Sequence, residues 1–344
     1  MLMASLLSAS LNIRKAKASG IIYTREDGSI DPPTANITTA NNVTYTFTDD
    51  IYDSIVVERD GITIDGAGYM LRGTAAHDSR GIDLSWRANV TVQNAIIAAF
   101  SDGVLLLNSS DCSIDNSTIA NNTDGIWLEG SPNTSVSGNT IIANHGFGIY
   151  LEESPNTSVS SNNVTNNQYG IFLWFSSNIS FSGNTIAGNN VDGMQLGISS
   201  GNRLYHNNFI DNGQQVRVYP SESANVWDGG YPLGGNYWSN YTDADSYKGP
   251  NQNETGSDGV WDHPCVIDAD NQDRYPLTRP FGWFPAGDVD GDRDVDIFDI
   301  VRMAGVYGAK YPDPRYDRLC DVDLDGDVDI FDIVIAAGHY GDSW

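Results

Sequence analysis

Asp124-Gly125-Ile126-Trp127-Leu128 decides how this chain folds, because variants of it return at a nearly fixed interval. Gly81-Ile82-Asp83-Leu84, Gly103-Val104-Leu105-Leu106, Gly125-Ile126-Trp127-Leu128, Gly148-Ile149-Tyr150-Leu151, Gly170-Ile171-Phe172-Leu173 and Gly193-Met194-Gln195-Leu196 start 22, 22, 23, 22 and 23 residues apart. A period in that range marks a solenoid. An apolar series (Val92, Ile114, Val136, Val159, Phe181, Leu204) and a turn series (Asn89, Asp111, Asn133, Asn156, Asn178) keep step with it.

Within one period, β-branched residues alternate with polar ones, and the breaks are Asn, Gly, Ser and Asp. A helical repeat would instead place Leu and Ala at 3.6 spacing with few Gly or Asn. Three short strands and three turns per coil predict an all-β, right-handed parallel β-helix. Coils stack about 4.8 Å apart, so equivalent positions form columns. Ile, Val and Leu columns should fill the core, and Asn columns should hydrogen-bond along the axis.

The chain divides by composition. Met1 to Ala18 carries an apolar run, Leu2 to Leu11, and ends in Lys17-Ala18-Ser19-Gly20, so residues 1–20 read as a short signal peptide or leader. Residues 21–280 hold the solenoid, with Val43, Tyr45 and Phe47 in a capping strand at its start. A Trp- and Gly-rich cap follows it, including Gly234-Gly235-Asn236-Tyr237-Trp238. Residues 281–287 form a linker and 288–344 a second unit. Net charge is −27, which argues against nucleic acid and anionic membranes as partners. No apolar run is long enough for membrane insertion. Cys112, Cys265 and Cys320 are too few and too scattered for a disulfide framework; a Cys265 to Cys320 bridge is the one pairing left open.

Strand alternation makes Ile126 and Leu128 inward and Gly125, Trp127 and Glu129 outward. Two outer columns then read Asp83, Leu105, Trp127, Tyr150, Phe172, Gln195 and Ser85, Leu107, Glu129, Glu152, Trp174, Gly197. Trp127, Tyr150, Phe172 and Trp174 would offer aromatic faces to the apolar faces of sugars. Glu129 and Glu152, on adjacent coils, are the candidate catalytic carboxyls for a polysaccharide hydrolase, lyase or epimerase. A non-catalytic glycan-binding or structural surface module is the alternative.

The densest chemical signal is a duplicated acidic run. Asp288, Asp290, Asp292, Asp294, Asp296 and Asp299 are repeated, 33 residues on, by Asp321, Asp323, Asp325, Asp327, Asp329 and Asp332. Oxygen ligands at positions 1, 3, 5, 7, 9 and 12 suit calcium, so two ions are expected, with a helix after each loop from Ile300 and Ile333. Position 6 is Gly326 in the second loop and Arg293 in the first, which predicts a weaker first site. Asp258, Asp262, Asp268, Asp270 and Asp273 are a further cation candidate.

The repeat region, Gly61 to Phe209, resembles the parallel β-helix proteins that include the copper-site maturation protein NosD and carbohydrate-binding and sugar-hydrolase domains. Copper handling would need His, Met or Cys clusters, and His77, His145, His206, His263 and His339 show no ligand spacing. The segment after the repeats is similar to those of archaeal surface proteins. The unit from Gly287 to Gly341 resembles a type I dockerin. That resemblance implies a calcium-dependent tether to a cohesin domain and an extracellular, secreted or cell-surface setting. It puts partner contacts at Ile297, Phe298, Ile330 and Phe331, exposed to an apolar partner or buried within the unit.

Overall fold

The computed structural model describes residues 20–220, 223–282 and 286–343. The leader therefore lies outside the described residues, except Gly20. The repeats stack as a parallel β-solenoid of about 8 turns. Its three sheets have ten, eight and nine strands. The ten-stranded sheet runs through Ser54–Val57, Arg80–Asp83, Asp102–Leu107, Asp124–Glu129, Phe147–Glu152, Tyr169–Trp174, Asp192–Gly197 and Gln214–Tyr219, all parallel. Register places Ile126 opposite Ile149 and Leu128 opposite Leu151. These inward side chains are fully buried, and each contributes about 1.5–3 kcal/mol to the core.

The solenoid begins earlier than the sequence suggests. Ile21–Thr24 and Thr44–Phe47 already pair in parallel with Ser54–Val57 and Thr63–Asp65. Closure comes from the antiparallel strands Ile30–Asp31 and Ile37–Thr38, which turn back over the open edges. Tyr45 and Phe47 are buried, but Val43 precedes the strand and is exposed.

The glycine column is inward, against the expectation from alternation. A Cβ on Gly125 would sit 2.5 Å from the Gly148 carbonyl oxygen and 3.0 Å from an Ile141 methyl. The strand turns a corner there, so Gly125 and Ile126 both face the core, and only Gly lets successive backbones approach this closely. The turn series Asn89, Asp111, Asn133, Asn156 and Asn178 adopts φ of +55° to +60°, which Asn and Asp tolerate.

A different set of asparagines bonds along the axis. Asn122, Asn144, Asn167 and Asn189 form one buried column, and Asn139, Asn162, Asn184 and Asn207 another. Asn144 Nδ2 donates to Asn167 Oδ1 (2.9 Å) and to the Ile119 carbonyl (3.2 Å), while its Oδ1 accepts from the Asn122 amide (3.0 Å).

Beyond Phe209 the cap closes the barrel with Trp227 and Trp238, both buried. Two nine-residue helices follow, α1 (Ile297–Gly305) and α2 (Ile330–Gly338). Each starts three residues earlier than expected, because Asp296 and Asp329 cap them inside the acidic loops. Cys112, Cys265 and Cys320 are free and buried, so the open pairing of Cys265 with Cys320 is not made. No described helix is long and apolar enough to cross a membrane.

Candidate functional site

Both outer columns form as the repeat implies. Trp127 pairs in register with Tyr150, Tyr150 with Phe172, Glu129 with Glu152, and Glu152 with Trp174. The rings do not face solvent flat, however. Trp127 and Tyr150 stack with centroids 3.9 Å apart, and Tyr150 and Phe172 are parallel within 3° at 5.3 Å. Coil spacing brings the rings within stacking range, so Tyr150 has both faces occupied and shows its edge outward. Leu105, one coil earlier in the column, is buried, so the aromatic strip begins at Trp127.

The strip continues through residues the repeat pattern did not single out. Phe147 and Tyr169, at strand starts, pack 5.2 Å apart. At the other end Trp174 leans into the space over Gly197, where an added Cβ would come within 2.5 Å of the indole Cζ3. Tyr219 closes that end, 5.6 Å from Trp174.

Phe175 stands edge-on to Trp174 at 5.2 Å. Phe175 and, one coil on, Ile198 are 49% and 44% exposed, with φ of +48° and +49°. A left-handed backbone costs such residues roughly 1–2 kcal/mol. The same corner is left-handed in the preceding coils, at Trp86, Asn108, Gly130 and Glu153, so the solenoid turn sets the backbone; what sets Phe175 and Ile198 apart is an exposed apolar side chain beside the aromatic strip. The sequence signal for them was their place beside the column, not their type.

The two glutamates have separate donors. Tyr150 Oη donates to Glu152 Oε2 (2.8 Å), and Trp127 Nε1 donates to Glu129 Oε2 (3.4 Å). A less obvious acid lies at the strand starts, where Asp102 and Asp124 pair in register. Burial, then the Asp124 charge, pushes the Asp102 carboxyl up to about 6. Burial also raises Asp124, against a hydrogen bond from the Phe147 amide (2.7 Å). The recurring Asp-Gly pairs, Asp102-Gly103 and Asp124-Gly125, were the available sequence signal.

In the acidic loops, carboxylate oxygens of Asp288, Asp290 and Asp299 converge within 4.8 Å, as do those of Asp294, Asp296 and Asp299, and of Asp321, Asp323 and Asp325. Asp292, Asp327, Asp329 and Asp332 fall outside these groups. Asp292 accepts from the Asp294 amide, Asp327 pairs with Lys310 (2.5 Å), and Asp329 caps α2. Asp332 accepts from the amides of Val322, Asp323 and Asp329. Buried Asp288 Oδ2 and Asp294 Oδ1 have no hydrogen-bond partner, although Arg279 Nη1 lies 3.7 Å from Asp288 Oδ2. Buried carboxylate oxygens without a hydrogen bond fit a calcium ion, a hard cation that takes oxygen ligands.

The strain argument for unequal loops loses its basis. The first loop turns left-handed at Gly291 (φ +83°) and Arg293 (φ +79°), the second at Leu324 (φ +59°) and Gly326 (φ +96°). Each loop carries one glycine and one strained residue, so the strain cancels. Ile297, Phe298, Ile330 and Phe331 are exposed, Phe298 by 66% and Phe331 by 63%, which excludes burial within the unit.

The cap carboxylates do not gather. Asp258 accepts from Gly249 and Val260, Asp262 from Ser246 and Tyr247, and Asp268 from Asp270 and Asn271. Asp273 is fully buried and accepts from the Asn236 amide (2.7 Å) and Trp238 Nε1 (2.9 Å). Among the described residues the groups of converging ligands contain Asp alone. His206 is buried against the Leu233 carbonyl (2.7 Å), and burial lowers its pKa to about 4. His263 and His339 pair singly with Asp243 and Asp342.

Several solved structures are similar to part of this chain. A double mutant of the periplasmic alginate epimerase AlgG is 15% identical with TM-score 0.39, over 51% of this chain and 50% of that one. The pectate lyase Pel9A is 12% identical with TM-score 0.36, over 51% and 57%. DFA-IIIase from Arthrobacter chlorophenolicus A6 is 23% identical with TM-score 0.38, over 47% and 41%. This chain thus spans about half the length of the solved structures it matches. No curated protein matches it. Residues 36–243, most of the solenoid, match the family described as periplasmic copper-binding protein (NosD), and the chain belongs to that family.

Proposed function

We propose that this chain is a secreted or surface-attached protein that engages a polysaccharide along the strip from Trp127 to Tyr219. It is proposed to be fastened to a cohesin-bearing partner by its two calcium loops. The observation that carries the glycan reading is the exposed apolar pair Phe175 and Ile198 beside Trp174, at the open end of the aromatic strip. A sugar chain would lie against Trp174, Phe175 and the ring edges of the stack, with Glu129 and Glu152 accepting hydroxyl hydrogen bonds. Each glutamate is already held by a neighbouring ring donor, so the reading favoured is binding, and catalysis by the pair is the second reading.

The tether rests on the paired loops and on what they display. Calcium, when bound, would draw the Asp288 and Asp321 clusters together. Asp296, Asp299, Asp329 and Asp332 would go on anchoring the helix starts. Ile297 and Phe298, with Ile330 and Phe331, would then meet an apolar partner surface, an arrangement consistent with two equivalent docking patches.

Phe175→Gly separates function from structure, because strain relief and lost packing offset each other in stability while the exposed ring is removed. Relief of the left-handed strain, offset by the lost Trp174 contact and the freer unfolded chain, should leave stability within about 1 kcal/mol. Retention on the best-bound polysaccharide in affinity electrophoresis should fall at least about tenfold. A folded variant that keeps full retention would sink the glycan reading.

A further inference from the structure

We propose that the aromatic face selects an amine-bearing polysaccharide, a polymer of amino sugars with free ammonium groups, over polyuronates. This rests on the glycan-binding reading and adds the charge class of the ligand. Carboxylates punctuate the strip: Asp124 at a strand start, Glu129 and Glu152 in the second outer column, and exposed Glu153 beside them. Both guanidiniums on the same sheet are already engaged. Arg80 Nη1 lies 2.7 Å from Asp83 Oδ2, and Arg217 bonds Asp192 through Nε and Nη2, each at 3.1 Å. A uronate chain would add a negative charge at each sugar with no free cation to meet it.

An ammonium finds two complementary groups here. The Tyr150 and Trp127 contacts each use one oxygen of Glu152 and Glu129, and the second oxygen of each remains for a ligand donor. Trp174, next to Glu152 in the column, supplies a π system that attracts a cation. A carboxylate beside an indole discriminates an amine from a hydroxyl more sharply than either alone, because both terms act on the same charge.

The full chain is tested by calorimetry with glucosamine, N-acetylglucosamine, glucose and galacturonate hexamers, at about pH 6 and ~0.15 M salt. Poly-lysine is included because a chain of net charge −27 attracts any polycation. The glucosamine hexamer should bind about tenfold tighter than the two neutral ones, and the galacturonate hexamer weakest, with or without calcium. Glu129→Gln with Glu152→Gln should bring glucosamine down to the neutral sugars and leave poly-lysine binding unchanged.

Equal binding of all hexamers, tightest binding of galacturonate, or a glucosamine preference that survives the double substitution would each overturn the charge selection while leaving a glycan site in place. Binding of no hexamer at all would overturn the glycan reading itself.

Discussion

Asp102 and Asp124 take successive places in one column at the strand starts, and the pairing has a measurable cost. Asp102 binds its proton more tightly when folded, with a pKa of about 6 against 3.8 for the free side chain. Its ionisation therefore opposes folding. The associated stability is complete below about pH 4 and is lost as pH rises through 6. Asp102→Asn should accordingly stabilise the chain at pH 7 by about 1–2 kcal/mol, after allowance for partial solvent screening, and by almost nothing at pH 4. Urea melts at the two pH values check this, and an equal effect at both would mean that Asp102 is not pushed up. Arg80 sits at the preceding place in that column, a nearby positive charge that lessens the cost without removing it.

At the scale of an element, the buried asparagine columns do for the turns what strand pairing does for the sheets. Each amide side chain accepts from the coil before it and donates onward, so the buried amide groups of the column satisfy one another. Asn144→Ala would strip the Asn122 amide of its acceptor and the Ile119 carbonyl of its donor. The expected loss is about 2–4 kcal/mol, against near zero for Asn163→Thr, an exposed strand position whose register neighbours are Thr140 and Thr185. Denaturant midpoints measure both, and similar small losses would show that the column is ornamental to stability. The aromatic column works differently, since its members satisfy one another by stacking. That is why the ends, at Trp174 and Phe175, have more to offer a ligand than the middle.

At the scale of the molecule, the C-terminal unit is seated on the solenoid cap rather than hung from it. Arg318 is buried and donates to the carbonyls of Pro232 and Leu233, the latter at 2.8 Å. Tyr231 and Tyr311 pack 5.4 Å apart across the same contact, and Arg279 Nη2 donates to the Asp288 carbonyl (3.1 Å). A cavity of about 240 Å³ remains between the two parts, lined by Leu277, Arg279, Asp288, Arg318 and Leu319. A partner held by the loops would therefore have a fixed orientation relative to the aromatic face. Arg318→Ala should free the unit at a cost of about 2–4 kcal/mol to the contact. Hydrogen exchange should then quicken at Gly229 to Gly235 and at Arg318 to Asp321, with the solenoid columns unchanged. Unaltered exchange at those segments would mean that the seat does not depend on Arg318.

The sequence by itself determined the solenoid, because a period of 22 to 23 residues with inward Ile and Leu admits one stacking register. It also set which side chains share a column: Trp127 with Tyr150 and Phe172, and Glu129 with Glu152. Column membership follows from spacing alone. Orientation within a column does not. That the Gly125 column faces inward, that Trp127 and Tyr150 spend their faces on each other, and that Asn144 rather than Asn133 carries the buried ladder depend on corner geometry and on contacts 22 or 23 residues away. The same holds for the acidic loops, where spacing named twelve aspartates. Only the folded chain decided that Asp288 Oδ2 is left without a hydrogen bond while Asp332 is consumed by three backbone amides. Hydrogen-bond satisfaction is a property of neighbours in space, and the chain order does not contain it.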